Sequence, residues 1–395
     1  MVQRPKRQLI GLGYEQQVST DPCLFIHKKT KSAINIHVDD CLVSSSSDCE
    51  AKRLKSFFES KECTLHEDEF TYLAMDVWKR KDNVIQVSME TYLRDLMTKI
   101  KATGSEDTPC QMNLIDAKDD SKPVTEEQRK EFVSVLMALY FAALRVRFDI
   151  LFTVSVLSKH CKAPTQKHYD DLQHLIRYVN GTISKSITLD ADSLTIHVYA
   201  DASFMTHPDR KGHTGVVVTM GENGQFLAAR SATQKCITTS STDSEALAAY
   251  ESNPLLKESS KLMTAFGYPS IPILHQDNIS AIHMMETGGG SKKHTKHFDM
   301  RLRFLQEMIA NYEFTTEYTP TENMLADTFT KALPGKSFHN SMNTLFNQKK
   351  YKQQQEQRPG GNTALLAMLA TGYVQTLRGC AEFQYVRTNC GERRK

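Results

Sequence analysis

Several features that would place this chain in a narrow protein class are absent. Its 395 residues include nine cysteines, but none of them forms a Cys-x-x-Cys pair. An odd set of cysteines without regular spacing is typical of a reduced, intracellular protein and not of a disulfide framework. No apolar run approaches the ~20 residues that span a bilayer, and the first residues lack the apolar core of a secretory signal. We therefore expect an intracellular protein without a membrane partner.

An excess of charge of one sign is absent as well. The formal net charge is +3, from 49 basic and 46 acidic residues. Any binding to nucleic acid must then depend on local basic patches and not on the overall charge. A hydrophobic fraction of 40% and a charged fraction of 24% are ordinary for a globular protein. The length allows two to three domains with sizeable cores.

The first half of the chain changes from a β-rich to a helical pattern. Residues 23–45 predict a strand pair, and FTYLAMDVWKR with NVIQVSM predicts a hairpin that turns at Lys81–Asn83. Helical patterns occupy residues 48–60 and 90–101. A polar segment rich in Asp, Ser and Pro, typical of a linker, follows them. From Thr125 to about Gly181 the pattern is helical, and Thr165 is a predicted helix N-cap.

The second half predicts an α/β domain, because strands alternate with helices from about Leu194 onward. The predicted strands are LTIHVYAD, a hairpin of HTGVVVTM and QFLAARSA, then IPILHQ and EFTTEYT. The predicted helices are TDSEALAAYESNPLLKESSKLMTAF, NISAIHMMET, FDMRLRFLQEMIANY and a final TENMLADTFTKAL. The polar residues beyond Phe346 predict disorder, and the last part of the chain has no interpretable pattern.

Four acidic residues of this half stand in distinctive contexts. Asp201 and Asp277 each follow an apolar strand pattern, whereas Glu245 and Asp327 lie on helical patterns. Carboxylates that converge from strand ends and helices can hold two divalent metal ions, which cut or form phosphodiester bonds. Asp and Glu are suitable residue types because Mg²⁺ prefers oxygen ligands.

Each of these four residues also has an ordinary structural explanation. Thr242 and Glu245 have the spacing of a capping box, and Asp277 is placed to cap the helix after it. Asp201 could lie in a simple turn, and Asp327 could be a solvated helix residue. Taken together, in this order, they favour the metal-binding interpretation.

A second acidic pair, Asp39 and Asp40, lies between two apolar strand patterns. Adjacent carboxylates are unfavourable unless a cation compensates them. A polymerase uses such a pair to hold metal ions, and we take this as the hypothesis. The dipeptide alone would favour an Asx-turn at a hairpin tip. The flanking strand patterns and the four acidic residues above favour the polymerase interpretation.

A local basic patch follows a glycine-rich loop and could bind phosphates. Its members are Lys292, Lys293, Lys296 and Arg301. A solvated basic face is the alternative. His294 and His297 have a spacing that would suit zinc, but no cysteine or second histidine pair completes such a site.

These segments resemble the C-terminal part of a copia-type LTR-retrotransposon Pol polyprotein. DPCLFIHK and NIHVDDCLV resemble the DPCLF and YVDD segments of its reverse transcriptase, and FAALRVRFDILFTVSVLS resembles its connecting helix pair. SSTDSEALA, QDNISAI, HTKHFDMRLRFLQE and PTENMLADTFTKALP resemble segments of its RNase H domain. The resemblance extends from about Gly11 to Phe346.

The chain departs from the family pattern at a few positions. His37 stands where the family has Tyr before Val-Asp-Asp, and Phe148 stands where it has Pro. Met137 replaces a Gly of the connecting helices. Ala246 replaces the Tyr after the catalytic Glu, and Ser203 replaces the second Asp of an Asp-Ala-Asp segment.

The resemblance implies a fold of the α/β (α+β) class, in which a partial reverse-transcriptase palm and a helical connection precede an RNase H-like mixed-sheet domain. The expected divisions are a partial palm and thumb over 1–102, a linker over 103–124, a helical connection over 125–184, the RNase H-like domain over 185–347 and a low-complexity or unassigned tail over 348–395.

The resemblance also implies a reverse transcriptase/RNase H fragment, an endoribonuclease that hydrolyses the RNA strand of an RNA–DNA hybrid. Asp201, Glu245, Asp277 and Asp327 would be both catalytic and metal-binding, with two Mg²⁺ ions or Mn²⁺ as cofactor. The expected partners are the hybrid and the remainder of a Pol polyprotein. The expected location is a cytoplasmic particle or the nucleus.

In the family, the fingers and the third polymerase Asp precede the segment that corresponds to Met1. We therefore expect an incomplete polymerase site, with Asp39 and Asp40 as its remnant. The alternative to an enzyme is a catalytically dead transposon relic that at most binds nucleic acid.

Overall fold

The computed structural model describes residues 3–38, 40–45, 47–61, 63–80, 84–115, 119–287, 296–347 and 382–388. Within these ranges, no helix combines the length and the apolar character that crossing a membrane requires. The helices are α1 (Gln3–Gly11), α2 (Asp48–Glu59), α3 (Glu90–Lys99), α4 (Glu126–Ala143), α5 (Leu151–Ser158), α6 (Gln166–Gly181), α7 (Ser241–Ala265), α8 (Ile279–Thr287), α9 (Lys296–Ala310) and α10 (Gly335–Leu345).

The strands form three sheets, which confirms the mixed α/β class. They are β1 (Glu15–Gln16), β2 (Leu24–His27), β3 (Ser32–His37), β4 (Asp40–Ser45), β5 (Cys63–Glu67), β6 (Glu69–Tyr72), β7 (Met75–Lys79), β8 (Ile85–Ser88), β9 (Ser186–Leu189), β10 (Ile196–Ser203), β11 (His213–Met220), β12 (Gln225–Thr233), β13 (Ile273–Gln276), β14 (Thr315–Tyr318) and β15 (Glu382–Thr388).

The first sheet has the order β1-β2-β3-β4-β15-β5, and its neighbouring strands pair antiparallel. The predicted strand pair over 23–45 corresponds to β2, β3 and β4. One set of apolar residues of these strands packs with Leu54 and Phe58 of α2 in one core cluster, namely Phe25, Ile34, Ile36, Cys41 and Val43. The inserted strand β15 has no counterpart in the sequence analysis, which found no interpretable pattern in the last part of the chain.

The second sheet has the order β6-β7-β8-β9 and is also antiparallel. The predicted hairpin is present as β7 and β8, and its turn at residues 81–83 lies outside the described residues. FTYLAMDVWKR is not one strand, because Leu73 and Ala74 have φ values of 50° and 66° and form a tight turn between β6 and β7. Strand β9 opens the predicted domain 185–347, yet it pairs with β8 from the predicted palm and thumb.

The helical region packs against this second sheet, and its helix limits follow local capping. Thr125 and Gln128 form a capping box at the start of α4. Thr165 caps α6, as predicted, with His168 as its partner. A short 3₁₀ helix, Phe148–Ile150, lies between α4 and α5. Its Asp149 forms a fully buried ion pair with Arg147, the residue directly before the helix.

The third sheet is mixed, with the order β12-β11-β10-β13-β14. β10 pairs antiparallel with β11 and parallel with β13, and β13 pairs parallel with β14. The long helix α7 packs on this sheet, mainly on β10 and β11. The apolar side chains of these elements form one buried cluster. The predicted strands, hairpin and helices of this region are confirmed up to β14.

The predicted final helix TENMLADTFTKAL is wrong. Two 3₁₀ helices, Thr321–Asn323 and Leu325–Phe329, occupy this segment, and the helix α10 begins only after Pro334. Side chains from the mixed sheet bind carbonyl groups near the end of this segment. Ser231 Oγ donates to Phe329 O, and Ser203 Oγ donates to Thr330 O. Tertiary contacts therefore override the helical pattern.

Candidate metal-binding carboxylate site

Asp201 lies near the end of the central strand β10, opposite Gly215 of β11. Its side chain is buried, with 4% of the residue exposed. A position within a paired strand excludes the alternative that Asp201 belongs to a simple turn. Because β10 has α7 on one side and two neighbouring strands, few residues can approach this carboxylate, and each of them is determined by the fold.

Glu245 enters from the first turns of α7. Ser240 is the N-cap of that helix and accepts from Asp243 N, so the alternative capping box of Thr242 and Glu245 is wrong. The Glu245 carboxylate is free of a capping role and accepts a hydrogen bond from the backbone of Ala202 instead, at 3.1 Å. The helix thereby places Glu245 against β10.

Asp277 directly follows β13, the strand that pairs with β10 on the edge opposite β11. Asn278, and not Asp277, caps α8, because Asn278 Oδ1 accepts from Ala281 N. Asp277 Oδ2 instead accepts from Thr321 Oγ1 at 2.8 Å. The fully buried Gln276 holds the turn through its Oε1, which accepts from Asp277 N at 2.9 Å.

The structure brings three of the four predicted carboxylates together. One carboxylate oxygen from each of Asp201, Glu245 and Asp277 lies within 4.8 Å of the other two. Burial, then the neighbouring Asp327 carboxylate, raises the pKa of Asp201 from 3.8 to about 7. Burial, then the carboxylates of Asp201 and Asp277, raises the pKa of Glu245 well above its ordinary value. The cluster is therefore unfavourable for negative charge in the absence of a cation.

The donor set fits a hard divalent cation. All three groups offer carboxylate oxygens, which Mg²⁺, Ca²⁺ and Mn²⁺ prefer over nitrogen or sulfur.

Asp327, the fourth predicted residue, lies beside Asp201 and is not one of the three converging carboxylates. It stands in the 3₁₀ helix Leu325–Phe329 and not on an α-helix. Its Oδ1 lies 2.8 Å from Lys331 Nζ, and 13% of its side chain is exposed. The alternative of a solvated helix residue does not describe it.

Four further residues shape the site and were not predicted. Thr330 Oγ1 donates to Asp201 Oδ2 at 2.5 Å. Lys331, Thr321 and Gln276 hold Asp327 and Asp277 as described above. Only the Asp327–Lys331 pair had a visible signal, because opposite charges four residues apart are a common pairing. The threonines and the glutamine act through a tertiary arrangement that residue spacing does not show.

Of the acidic pair Asp39 and Asp40, the structure describes Asp40, which lies in the first sheet. Asp40 begins β4, where it is paired with His37, and exposed Val38 has a φ of 54° at the turn between them. Asp39 lies outside the described residues. The hypothesis of a polymerase remnant at Asp39 and Asp40 therefore stays a prediction.

The basic patch is described only in part. Lys292 and Lys293 lie outside the described residues, and Lys296 is described only as the first residue of α9. Arg301 is half-buried: its guanidinium donates to Cys236 Sγ and lies 5.6 Å from the centre of the Tyr250 ring. The predicted role of these four residues in nucleic-acid binding stays a prediction.

Comparison with known proteins gives a consistent set of relatives, although no protein-family model matches the chain. It is 25% identical to a retrovirus-related Pol polyprotein of transposon RE2 from Arabidopsis thaliana, over 84% of this chain and 23% of that protein. It is 24% identical to the TyH3 Gag-Pol polyprotein of Saccharomyces cerevisiae, over 80% of this chain and 19% of that protein. It is 23% identical to the Pol polyprotein of transposon TNT 1-94 from Nicotiana tabacum, over 81% of this chain and 25% of that protein.

These curated homologues are copia-type Pol or Gag-Pol polyproteins of transposons, as the resemblance predicted. The chain spans about a quarter or less of their length. Among solved structures, a foamy viral protease-reverse transcriptase in complex with an RNA/DNA hybrid is similar at a TM-score of 0.43 and 13% identity, over 73% of this chain and 36% of that one. An N-terminal RNase H domain from Mycobacterium tuberculosis is similar at 0.26 and 16%, over 38% of this chain and 99% of that one.

Proposed function

We propose that this chain is a reverse transcriptase/RNase H fragment of a retrotransposon Pol polyprotein and that it hydrolyses the RNA strand of an RNA–DNA hybrid. One observation carries the proposal. Oxygens of Asp201, Glu245 and Asp277 come from a strand, a helix and a strand end, and lie within 4.8 Å of one another. Phosphodiester hydrolysis is a reaction that such a carboxylate cluster supports. The homology to transposon Pol polyproteins favours this reaction over other metal-dependent ones.

The proposed cofactor is Mg²⁺ or Mn²⁺, held by Asp201, Glu245 and Asp277. Asp327, beside them, is the proposed ligand of a second ion. When bound, such ions stabilise the developing charge on phosphate and activate a water molecule. A cation would also relieve the repulsion from the Asp327 carboxylate, which adds to the effect of burial in raising the pKa of Asp201. The protein contributes the rigid placement of its carboxylates.

Neighbouring donors provide that placement without competing for all carboxylate oxygens. Thr330 holds one oxygen of Asp201, Ala202 holds one oxygen of Glu245, and Thr321 holds one oxygen of Asp277. Each of these three contacts uses a single oxygen, so none of them occupies a whole carboxylate. We assign a positioning role to Thr330 and Thr321.

On the substrate side, the proposed selectivity rests on the 2′-hydroxyl, which distinguishes RNA from DNA at a given contact. The basic patch of Lys292, Lys293, Lys296 and Arg301 is proposed to contact phosphates, whose recognition is electrostatic and insensitive to sequence. Because Arg301 is already in contact with Tyr250 and Cys236, its charge is held at a fixed place on α9.

The test uses the full chain, since β9 pairs with β8 across the predicted domain limit. Asp201→Asn removes the central charge and nearly preserves its shape. We expect it to lose cleavage of the RNA strand in Mg²⁺ while binding a labelled hybrid as wild type does. Asp170→Asn, an acid-to-amide change on the exposed side of α6, is the matched control and should cleave normally. Cleavage retained by Asp201→Asn would overturn the assignment.

A further inference from the structure

Lys331 occupies a special position beside the carboxylate cluster. Its Nζ lies 2.8 Å from Asp327 Oδ1, and 42% of its side chain is exposed. In the described part of the chain, the acidic groups that converge closely enough for one metal ion are Asp201, Glu245 and Asp277. Asp327 is next to them but has a lysine ammonium as its near cation.

The backbone fixes this arrangement. Asp327 and Lys331 lie four residues apart around the end of the 3₁₀ helix Leu325–Phe329, and Lys331 N donates to Asp327 O at 3.3 Å. Thr330, between them, contacts both Asp201 Oδ2 and the Asp327 carbonyl oxygen, at 2.5 and 3.1 Å. The segment is therefore attached to β10 at the central carboxylate, which keeps the backbone of Lys331 next to Asp327.

Two cations at short distance repel each other strongly where water is partly excluded. An ammonium at Asp327 neutralises that carboxylate and opposes the approach of a second ion to the same oxygen. It leaves the three converging carboxylates accessible to a first ion. The cluster thus has one cation site formed by Asp201, Glu245 and Asp277, and a second position at Asp327 that the ammonium group of Lys331 already fills.

We propose that Lys331 is the resident cation of Asp327, so that a second divalent ion binds there only by displacing the lysine. This inference rests on the proposed function, because it presupposes that the cluster of Asp201, Glu245 and Asp277 binds a divalent ion. Lys331 is then a positioning residue that sets the affinity for the second ion, and its effect acts through Asp327.

The test is calorimetric titration of the full metal-free chain with Mn²⁺, which reads metal binding without relying on cleavage. Lys331→Met keeps the aliphatic stem and removes the charge, and Lys331→Gln is a second neutral variant. We expect both to tighten the weaker of two binding steps by about tenfold or more, with the stronger step changed less than about twofold. Lys331→Arg keeps the charge and should titrate as wild type does.

The gain should disappear in the double variant Asp327→Asn with Lys331→Met. Thermal unfolding of each variant establishes that it is folded before titration. If Asp201→Asn removes the stronger binding step, and neither neutral variant shows a weaker step that is tighter than in wild type, the inference on Lys331 is overturned and the proposed function stands. If wild type binds no Mn²⁺ that Asp201→Asn affects, both are overturned.

Discussion

The backbone N–H of Ala202 donates a hydrogen bond of 3.1 Å to Glu245 Oε2. Ala202 directly follows Asp201 in β10, so this contact aligns the start of α7 with the strand at its central carboxylate. Two buried acids are thus held together by the main chain, although their charges repel each other. The site is prepared for a cation at a cost to the stability of the metal-free fold.

This cost should depend on pH through Asp201. Its pKa is raised from 3.8 to about 7, chiefly by burial and then by Asp327. Between those values the folded state retains a proton that the unfolded state has released, so its contribution to stability decreases as pH rises. Asp201→Asn should therefore raise the melting temperature in EDTA at about pH 8, by roughly 2 °C or more, and should raise it clearly less at about pH 5.

The variant must be compared with wild type at each pH, because buried histidines make the stability increase with pH, opposite to the effect of Asp201. Burial lowers their pKa values from 6.5, so they favour unfolding as pH falls below that value. The histidines concerned are His160, His168, His207, His213 and His275. Asp170→Asn should show no such pH-dependent difference. An equal effect of Asp201→Asn at both pH values would contradict the raised pKa.

Gly215 permits the close approach of the segment that carries Asp327. A Cβ there would lie 2.7 Å from Ala326 O and 3.0 Å from the carbonyl carbon of Phe329. Because both contacts are with backbone, we expect Gly215→Ala to lower the free energy of unfolding by about 1–3 kcal/mol. Gly11→Ala, where no atom lies within 4 Å of the added Cβ, is the control for urea unfolding. Equal stability of the two variants would argue against the close packing.

Ala74 is strained in the turn between β6 and β7, with a φ of 66°. The left-handed conformation costs an L-residue roughly 1–2 kcal/mol, whereas glycine adopts it freely. Ala74→Gly should therefore stabilise the chain by about 0.5–1 kcal/mol, the part that remains after the greater flexibility of glycine in the unfolded state. Ala138→Gly in α4 is the same exchange in a helix and should destabilise by about 1 kcal/mol. Loss of stability in Ala74→Gly would exclude the positive φ.

The buried ion pair of Arg147 and Asp149 should contribute more to the free energy of unfolding than an exposed ion pair does. Burial alone would raise the pKa of Asp149, but the charges of Arg147 and Lys185 outweigh it and lower the pKa to about 2. Its stabilising contribution is present above about pH 4 and is lost as pH falls toward 2. Asp149→Asn leaves a buried guanidinium uncompensated and should cost about 3 kcal/mol or more at neutral pH.

The control for this variant is an exposed pair. Lys55 and Glu67 lie 2.8 Å apart with 41% and 43% of their side chains exposed. Glu67→Gln should change the free energy of unfolding by less than about 1 kcal/mol. Urea unfolding of both variants decides the matter, and similar small effects would show that the buried pair is dispensable.

Hydrophobic periodicity predicted most of the elements that position the site. The apolar patterns of β10 and of the hairpin β11–β12 identify these strands from the local sequence alone. The start of α7 carries its own polar cap at Ser240. Where the pattern and the tertiary contacts agree, the sequence suffices to locate Asp201, Glu245 and Asp277 at neighbouring element ends.

The segment around Asp327 shows where such prediction stops. Its apolar spacing is helical, but hydrogen bonds from Ser231 and Ser203 to its carbonyl groups favour 3₁₀ turns. The pairing of β9 with β8 and the insertion of β15 between β4 and β5 likewise depend on contacts between residues far apart in the chain. Local patterns carry no information on such partners.

The most direct measurement of the central claim compares three end-labelled duplexes of one sequence, RNA–DNA, DNA–DNA and RNA–RNA, incubated with the full chain in Mg²⁺ and in EDTA. The account predicts cleavage of the RNA strand of the hybrid alone, and only with the metal ion. Cleavage of the DNA strand, or of the DNA duplex, would contradict it, and so would no cleavage of the hybrid by a folded chain that binds the metal.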